Sequence, residues 1–212
     1  MKNMIIGQSG GPTSVINSSL AGAIDCAFSS PEIDRVYGML NGVEGLLEEN
    51  IIDLNEIFEN RPYELNRLKV TPAMYLGSCR YKLGGDDEEC ARVVKILKKY
   101  NVGYFAYIGG NDSMDTVKKL SDYTISNGID IKVVGIPKTV DNDLTGIDHT
   151  PGFGSAAKYI ASCVREVAYD TSIYSIKSVH IIEAMGRNAG WLTASSALAR
   201  QEDMVAPHLI YL

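Results

Sequence analysis

The sequence of 212 residues has few of the features that mark secreted, zinc-binding or nucleic-acid-binding proteins. Its four cysteines are scattered without a Cys-x-x-Cys pair, and its three histidines lie far apart. This pattern predicts reduced thiols in a cytoplasmic protein and argues against a zinc site. The net charge is −6 and lysines and arginines form no run, which argues against partners such as nucleic acid or an anionic membrane.

Long hydrophobic runs are also absent. No segment is apolar over the roughly 20 residues that a membrane-spanning helix needs. The first residues lead directly into an apolar strand, so we expect no signal peptide. Hydrophobic residues nevertheless make up 45% of the chain. This length and composition predict a sizeable core, in one large domain or two small ones.

The chain does contain alternating strand-like and helix-like segments. Apolar runs predict strands near residues 3–7, 34–39, 103–108, 131–136, 178–184 and 208–212. Helical periodicity predicts helices near residues 14–28, 87–100, 113–127, 153–169 and 189–200. This alternation predicts an α/β fold: a doubly wound, mostly parallel sheet with helices on both faces, in a Rossmann-like three-layer sandwich.

Two carboxylates, Asp141 and Asp143, follow the apolar run of residues 133–136. Lys138 and Thr139 lie between that run and the acids. Open α/β sheets bind ligands at the carboxyl ends of their strands. A cation, a hydroxyl and two acids at such a position favour phosphate binding with general-base chemistry, and an ordinary polar turn is the alternative.

Two glycine-rich turns strengthen this interpretation. Gly10 and Gly11 follow the first predicted strand, and Gly109 and Gly110 follow the third. A plausible helix comes after each turn. A strand, a glycine turn and a helix together offer backbone N–H groups and a positive helix end to an anion.

These segments resemble those of the phosphofructokinases, and most of all the pyrophosphate-dependent branch. They occur in family order along almost the whole chain: Gly10-Gly11-Pro12-Thr13, Leu76-Gly77-Ser78-Cys79-Arg80, Gly109-Gly110-Asn111-Asp112-Ser113, Pro137-Lys138-Thr139-Val140-Asp141-Asn142-Asp143 and Met185-Gly186-Arg187-Asn188-Ala189-Gly190-Trp191. The resemblance implies the phosphofructokinase fold, with a phosphoryl-donor-binding domain at 1–150 and the start of a sugar-phosphate-binding domain at 151–212. Family members are considerably longer, so we expect the C-terminal part of the second domain to be missing.

The resemblance also implies roles for individual residues. Asp141 matches the general base that takes the proton from the attacking sugar hydroxyl, with Asp143 and Thr139 as the other catalytic residues. The alternative for Asp143 is that it only caps the turn on which it lies. The implied sugar-phosphate ligands are Thr139, Asp141, Met185, Gly186 and Arg187.

The implied donor site consists of Gly10, Gly11, Arg80, Asp112 and Lys138. ATP-using relatives commonly have glycine where this chain has Asp112 and Lys138. A carboxylate there obstructs the nucleotide and a lysine attracts phosphate oxygens, so the pair favours pyrophosphate. Asp112 or Ser113 as a simple helix N-cap is the alternative.

The family implies Mg²⁺ as cofactor, with Asp112 and Asp141 as candidate ligands. Asn111 stands where many relatives have a magnesium-linked aspartate. We expect reversible phosphoryl transfer from pyrophosphate to fructose 6-phosphate by a homo-oligomer. We expect residues 1–212 alone to be inactive. An ATP-dependent phosphofructokinase and a non-catalytic phosphate-binding subunit remain the alternatives.

Overall fold

The computed structural model describes residues 1–84 and 87–212, and these residues form two compact units. The first unit is Met1–Lys138 and the second is Thr139–Leu212. The division between the units and the boundary expected at residue 150 both fall in the loop of residues 138–152.

The first unit contains a five-stranded sheet with the strand order β3-β2-β1-β4-β5. Strands β2, β1, β4 and β5 are parallel to their neighbours, and only β3 runs antiparallel, at the edge beside β2. The mostly parallel α/β sheet predicted from the alternation is therefore confirmed. The strands are β1 (Lys2–Gln8), β2 (Ile33–Met39), β3 (Ile51–Asp53), β4 (Val102–Gly109) and β5 (Lys132–Pro137).

Helices cover both faces of this sheet. Neighbouring residues of a strand point to opposite faces, so Ile5 and Ile6 of β1 belong to two separate cores. One core includes residues of α2, α5 and α6, and the other includes residues of α1, α3 and α4. The three-layer sandwich is confirmed, with helices α1 (Ile16–Phe28), α2 (Gly42–Leu47), α3 (Leu54–Phe58), α4 (Pro62–Val70), α5 (Asp87–Lys99) and α6 (Asn111–Ser126).

The carboxyl ends of β1, β4 and β5 lie at one edge of the sheet. Gln8 of β1 is in register with Ile108 of β4, and Gly109 of β4 is in register with Pro137 of β5. Because β2 lies on the other side of β1, the chain leaves β1 and β4 in opposite directions. Such a switch point forms the crevice in which open α/β sheets bind ligands.

The second unit is mainly helical. Helix α7 (Phe153–Ser172) packs against α8 (Trp191–Ser195) and against a 3₁₀ helix (Ser196–Ala199). The prediction of one continuous helix over residues 189–200 was therefore wrong, because α8 ends at Ser195 and a 3₁₀ helix follows it. In the part of the chain that the structure describes, no helix is long and apolar enough to cross a membrane.

The strands predicted near residues 178–184 and 208–212 were wrong. Both segments are irregular, and neither pairs with a strand among the described residues. Val179 and Ile181 are 88% and 92% exposed. Their apolar composition suits a strand, but a strand also requires a neighbour that supplies backbone hydrogen bonds.

Candidate active site

The first glycine turn follows β1 and is held by the segment that carries Arg80. Gly10 has a φ of +81°, a conformation that glycine adopts without steric cost. Ser78 Oγ donates a hydrogen bond to the Gly10 carbonyl at 2.6 Å, and the Gly10 N–H donates to the Cys79 carbonyl at 3.5 Å. The turn and the Arg80 segment therefore form one surface.

Two fully buried amides lie behind this surface. Gln8 Nε2 donates to Asn17 Oδ1 at 3.0 Å, and Gln8 Oε1 accepts the Leu76 N–H at 3.0 Å. A buried polar group is retained when its hydrogen bonds are satisfied, as they are here. Gln8 was not among the predicted site residues, although a glutamine at the end of an apolar strand is a signal for such a bond.

The second glycine turn joins β4 to α6 and touches the first turn through two buried hydroxyls. Ser9 Oγ and Ser113 Oγ share a short hydrogen bond. A Cβ at Gly109 would lie 2.9 Å from Ser9 Oγ and closer still to Ser113 Oγ. Glycine at 109 is therefore required for this contact, which neither serine was predicted to make.

Tyr107 lies beneath the two turns. Its hydroxyl accepts the Val43 N–H at 3.2 Å and lies 3.6 Å from Cys79 Sγ. Burial raises the pKa of Tyr107, so its hydroxyl stays protonated at neutral pH. The tyrosine thus joins α2 and the Cys79 segment from below.

Asp112 lies in the first turn of α6 but does not cap it. The N-cap is Gly110, without a side-chain hydrogen bond, so capping by Asp112 or Ser113 was the wrong alternative. Asp112 Oδ1 instead lies 3.0 Å from Lys82 Nζ, with both side chains exposed to 71% and 67%. Asp112 also borders a cleft of about 30 Å³ together with Ser9, Gly10, Cys79, Arg80, Tyr81, Tyr107, Ser113 and Thr116.

Lys138 joins the two glycine turns. Its side chain is 3% exposed, and its Nζ donates to the Gly11 carbonyl at 2.6 Å. Its backbone N–H donates to the Gly109 carbonyl at 2.8 Å. Arg80 is exposed and forms no hydrogen bond or ion pair with the described residues. The five predicted donor residues therefore lie at one edge of the first unit, and Lys138 is more deeply embedded than a simple surface cation.

The loop of residues 139–150, called the acidic loop because it carries Asp141 and Asp143, begins the second unit. Thr150 closes this loop. Thr150 is fully buried, and its Oγ1 donates to the Thr139 carbonyl at 2.5 Å. Its N–H donates to Asn142 Oδ1 at 2.8 Å. Asn142, with a φ of +56°, separates the partly buried Asp141 from the exposed Asp143. Asn142 and Thr150 fix this loop, and neither was assigned a role from the sequence.

Three of the five predicted sugar-phosphate residues, Met185, Gly186 and Arg187, lie on a turn before α8. Met185 and Arg187 are exposed, and Gly186 has a φ of +130°. The Ala189 N–H donates to the Gly186 carbonyl and closes the turn. A glycine is required at 186 for two reasons. Its φ favours glycine, and a Cβ at this position would clash with the backbone of Ala189.

Comparison with known proteins identifies the family. The phosphofructokinase family model matches residues 3–208. The chain belongs to the phosphofructokinase family.

Individual phosphofructokinases confirm the fold. A pyrophosphate–fructose 6-phosphate 1-phosphotransferase from Rhodospirillum rubrum is 41% identical over 99% of this chain and 50% of its own length. An ATP-dependent 6-phosphofructokinase from Glaesserella parasuis is 33% identical over 94% of this chain and 57% of its own length. The crystal structure of a pyrophosphate-dependent phosphofructokinase from Marinobacter aquaeolei is 42% identical, with a TM-score of 0.87, over 99% of this chain and 52% of that chain. This chain therefore spans about half the length of these phosphofructokinases.

The described residues of this phosphofructokinase chain contain no cluster of three or more metal-ligating side chains. Asp112 and Asp141 belong to different units. Magnesium commonly takes one or two carboxylates, several waters and substrate phosphate oxygens. Each of these carboxylates, taken by itself, therefore fits a magnesium ion that is bound together with a phosphate substrate.

A larger cavity of about 490 Å³ lies beside α7 in the second unit. It is lined by Phe153, Gly154, Ala157, Lys158, Ala161, Ser162, Arg165, Leu198 and Gln201. None of the predicted site residues lines it.

Proposed function

We propose that this chain forms the donor-binding part, and the start of the sugar-phosphate-binding part, of a pyrophosphate-dependent 6-phosphofructokinase. The reaction transfers a phosphoryl group from pyrophosphate to fructose 6-phosphate and gives fructose 1,6-bisphosphate and phosphate. It is readily reversible, because the donor is pyrophosphate. Residues 1–150 bind the donor, and residues 151–212 begin the sugar-phosphate domain.

The observation that supports this donor most directly is the pair of charged residues at the glycine turns. The ammonium group of Lys138 donates a hydrogen bond to the Gly11 carbonyl, and Asp112 lies in the first turn of α6. A glycine at position 112 would leave room for a nucleotide α-phosphate. A carboxylate at 112 fills that room, so a short donor without a nucleoside fits better.

The first unit binds and orients the donor. Gly10 and Gly11 allow a phosphate to approach the backbone, and the start of α6 adds N–H groups and a positive helix end. Arg80 can hold phosphate oxygens with two parallel hydrogen bonds. The cleft of about 30 Å³ is small, so a diphosphate lies over its mouth.

The second unit supplies the base. Asp141 takes the proton from the sugar hydroxyl as that oxygen attacks phosphorus, and the Thr150 contacts hold the loop on which it lies. Thr139 contacts the moving phosphoryl group or the sugar hydroxyl, and Asp143 supports the base by orientation. Asp112 or Asp141 would hold a magnesium ion, which would supply neutralisation of the negative charge that develops on the phosphates.

Met185, Gly186 and Arg187 bind the acceptor, fructose 6-phosphate, in this proposal. Gly186 turns the backbone sharply before α8, and Arg187 presents an exposed guanidinium. A planar guanidinium suits the phosphate of fructose 6-phosphate.

We further propose a cytoplasmic homo-oligomer. The free thiols of Cys26, Cys79 and Cys163 agree with a reducing compartment.

Calorimetric titration of residues 1–212 with pyrophosphate, ATP and inorganic phosphate in the presence of Mg²⁺ tests the donor site. We expect pyrophosphate to bind at least about tenfold more tightly than ATP, because Asp112 obstructs the nucleotide. Equal or tighter binding of ATP would indicate an ATP-dependent enzyme. Failure of all three anions to bind would contradict the donor site itself.

A further inference from the structure

Asp112 creates an electrostatic problem for the proposed donor site. A carboxylate that excludes ATP by its volume also repels pyrophosphate by its charge. The chain as a whole is acidic, with a net charge of −6, so it supplies no general attraction for an anion. The site therefore needs a local cation that cancels the charge of Asp112 while leaving its volume in place.

Lys82 is placed to do this. Its Nζ lies 3.0 Å from Asp112 Oδ1, although the two residues belong to different segments of the first unit. Both side chains are exposed, and an exposed ion pair contributes little to the stability of a fold. Asp112 is already favourable at the start of α6, where the helix end is positive, so the helix does not require the lysine.

The backbone around Lys82 is anchored on both sides. Tyr81 donates its hydroxyl to Glu89 Oε1 at 2.5 Å, and the Gly84 N–H donates to Glu89 Oε2. The hydrogen bonds from Tyr81 and then from Gly84 hold the pKa of Glu89 below its usual value. Leu83 between them is buried. These contacts hold the backbone of Lys82 at a position from which its ammonium reaches Asp112.

We propose that Lys82 is a donor-specificity residue: it neutralises Asp112, so that Asp112 excludes ATP by volume without repelling pyrophosphate. This inference rests on the proposed donor site. It differs from direct phosphate binding by Arg80, because Lys82 acts on the carboxylate. Lys82 and Asp112 carry opposite charges. Removing the charge of Lys82 therefore weakens anion binding, and removing the charge of Asp112 strengthens it.

Calorimetry with sodium pyrophosphate and, separately, with ATP, both in EDTA, tests the proposal, because magnesium ligation by Asp112 then plays no part. The proteins are residues 1–212 with no change, with Lys82→Met, with Asp112→Asn and with both changes. Lys118→Met is the matched control, since Lys118 is an exposed lysine on α6 beyond the cleft. Thermal unfolding of each variant shows whether the fold is intact.

We expect Lys82→Met to weaken pyrophosphate binding roughly threefold to tenfold and Asp112→Asn to strengthen it by a similar factor. The double variant returns close to the unchanged protein. Asp112→Asn keeps the preference for pyrophosphate over ATP, because asparagine has nearly the same volume. Lys118→Met changes binding by less than about twofold.

Two results would overturn the proposal. One is a Lys82→Met variant that binds pyrophosphate as the Lys118→Met control does. The other is an Asp112→Asn variant that loses its preference for pyrophosphate, since Asp112 would then act by charge. Absence of pyrophosphate binding by the unchanged chain is a different failure, because it contradicts the proposed donor site itself.

Discussion

At the scale of single residues, the acids of the 139–150 loop differ in surroundings. Asp141 is partly buried, whereas Asp143 is exposed. Thr139 Oγ1 accepts the Asp141 N–H at 3.1 Å, which fixes the backbone of the proposed base. A general base contributes most when it is held in position, so Asp141 is the stronger candidate.

Asp141→Asn tests this assignment in a protein of phosphofructokinase length that carries residues 1–212. We expect turnover to fall roughly 10²–10⁴-fold, because asparagine cannot accept the proton of the sugar hydroxyl. The KM for fructose 6-phosphate should change little, since other groups bind the sugar phosphate. Asp148→Asn, an exposed acid of the same loop, is the control and should retain normal turnover. Loss of only a few-fold in Asp141→Asn would show that another group is the base.

Lys138 is expected to matter for both the turn and the donor. Lys138→Met removes the amine that bonds the Gly11 carbonyl, and with it a cation of the donor site. We expect pyrophosphate binding to weaken by at least about tenfold, together with a loss of stability of about 1 kcal/mol. Calorimetry and thermal unfolding measure the two effects.

Lys132→Met is the control for this change, because Lys132 is an exposed lysine at the start of β5, the strand that Lys138 follows. Both properties should stay close to those of the unchanged protein. If Lys138→Met behaves like this control, Lys138 has neither role.

At the scale of elements, the sequence predicted the strands and helices whose periodicity is regular. β1, β4 and β5 each contain an apolar run. The buried face of α5 consists of Cys90, Val93, Val94 and Leu97. The strand predicted at residues 178–184 shows the limit of this reasoning. Its residues are apolar, but pairing depends on a neighbour elsewhere in the chain, which local composition does not reveal.

Gly109→Ala tests the contact between the two glycine turns. The new Cβ would strike the Ser113 and Ser9 hydroxyls, so we expect a loss of stability of about 1 to 3 kcal/mol. Pyrophosphate binding should weaken as well, because the turns can no longer keep their spacing. Thermal unfolding and calorimetry measure these effects.

Gly22→Ala is the matched control, because Gly22 lies in α1 and an added Cβ meets nothing within 4 Å. It should stabilise the protein by roughly 0.5 to 1 kcal/mol. A Gly109→Ala variant with unchanged stability and binding would contradict the close contact of the two turns.

Thr150→Val tests the closure of the acidic loop. Valine keeps most of the volume but removes the hydroxyl that bonds the Thr139 carbonyl. We expect a cost of about 1 to 3 kcal/mol and faster amide hydrogen exchange in residues 139–150. In a protein of phosphofructokinase length, kcat should fall more than the KM for fructose 6-phosphate rises.

Thr171→Val is its control, since that hydroxyl bonds only the Val167 carbonyl within α7 and His180. Exchange in the acidic loop should not change in the control. Equal exchange in both variants would show that Thr150 does not hold the loop.

At the scale of the whole molecule, the resemblance to phosphofructokinases rested on motifs that are contiguous in sequence. Those motifs named Gly10, Gly11 and Lys138, because each stands in a strand-end segment. They did not name Lys82 or Thr150, whose roles come from contacts between segments far apart in the chain. Spacing in a sequence predicts the end of a strand, but it does not predict which side chain from another segment reaches that end.

The central claim, that pyrophosphate is the donor, is tested most directly by a donor-swap assay. A protein of phosphofructokinase length that carries residues 1–212 is given fructose 6-phosphate, Mg²⁺ and either pyrophosphate or ATP. Formation of fructose 1,6-bisphosphate is then measured, with residues 1–212 alone as a second sample. We predict a kcat/KM for pyrophosphate at least about a hundredfold above that for ATP, and no appreciable turnover by residues 1–212 alone. Equal or faster reaction with ATP would contradict the claim.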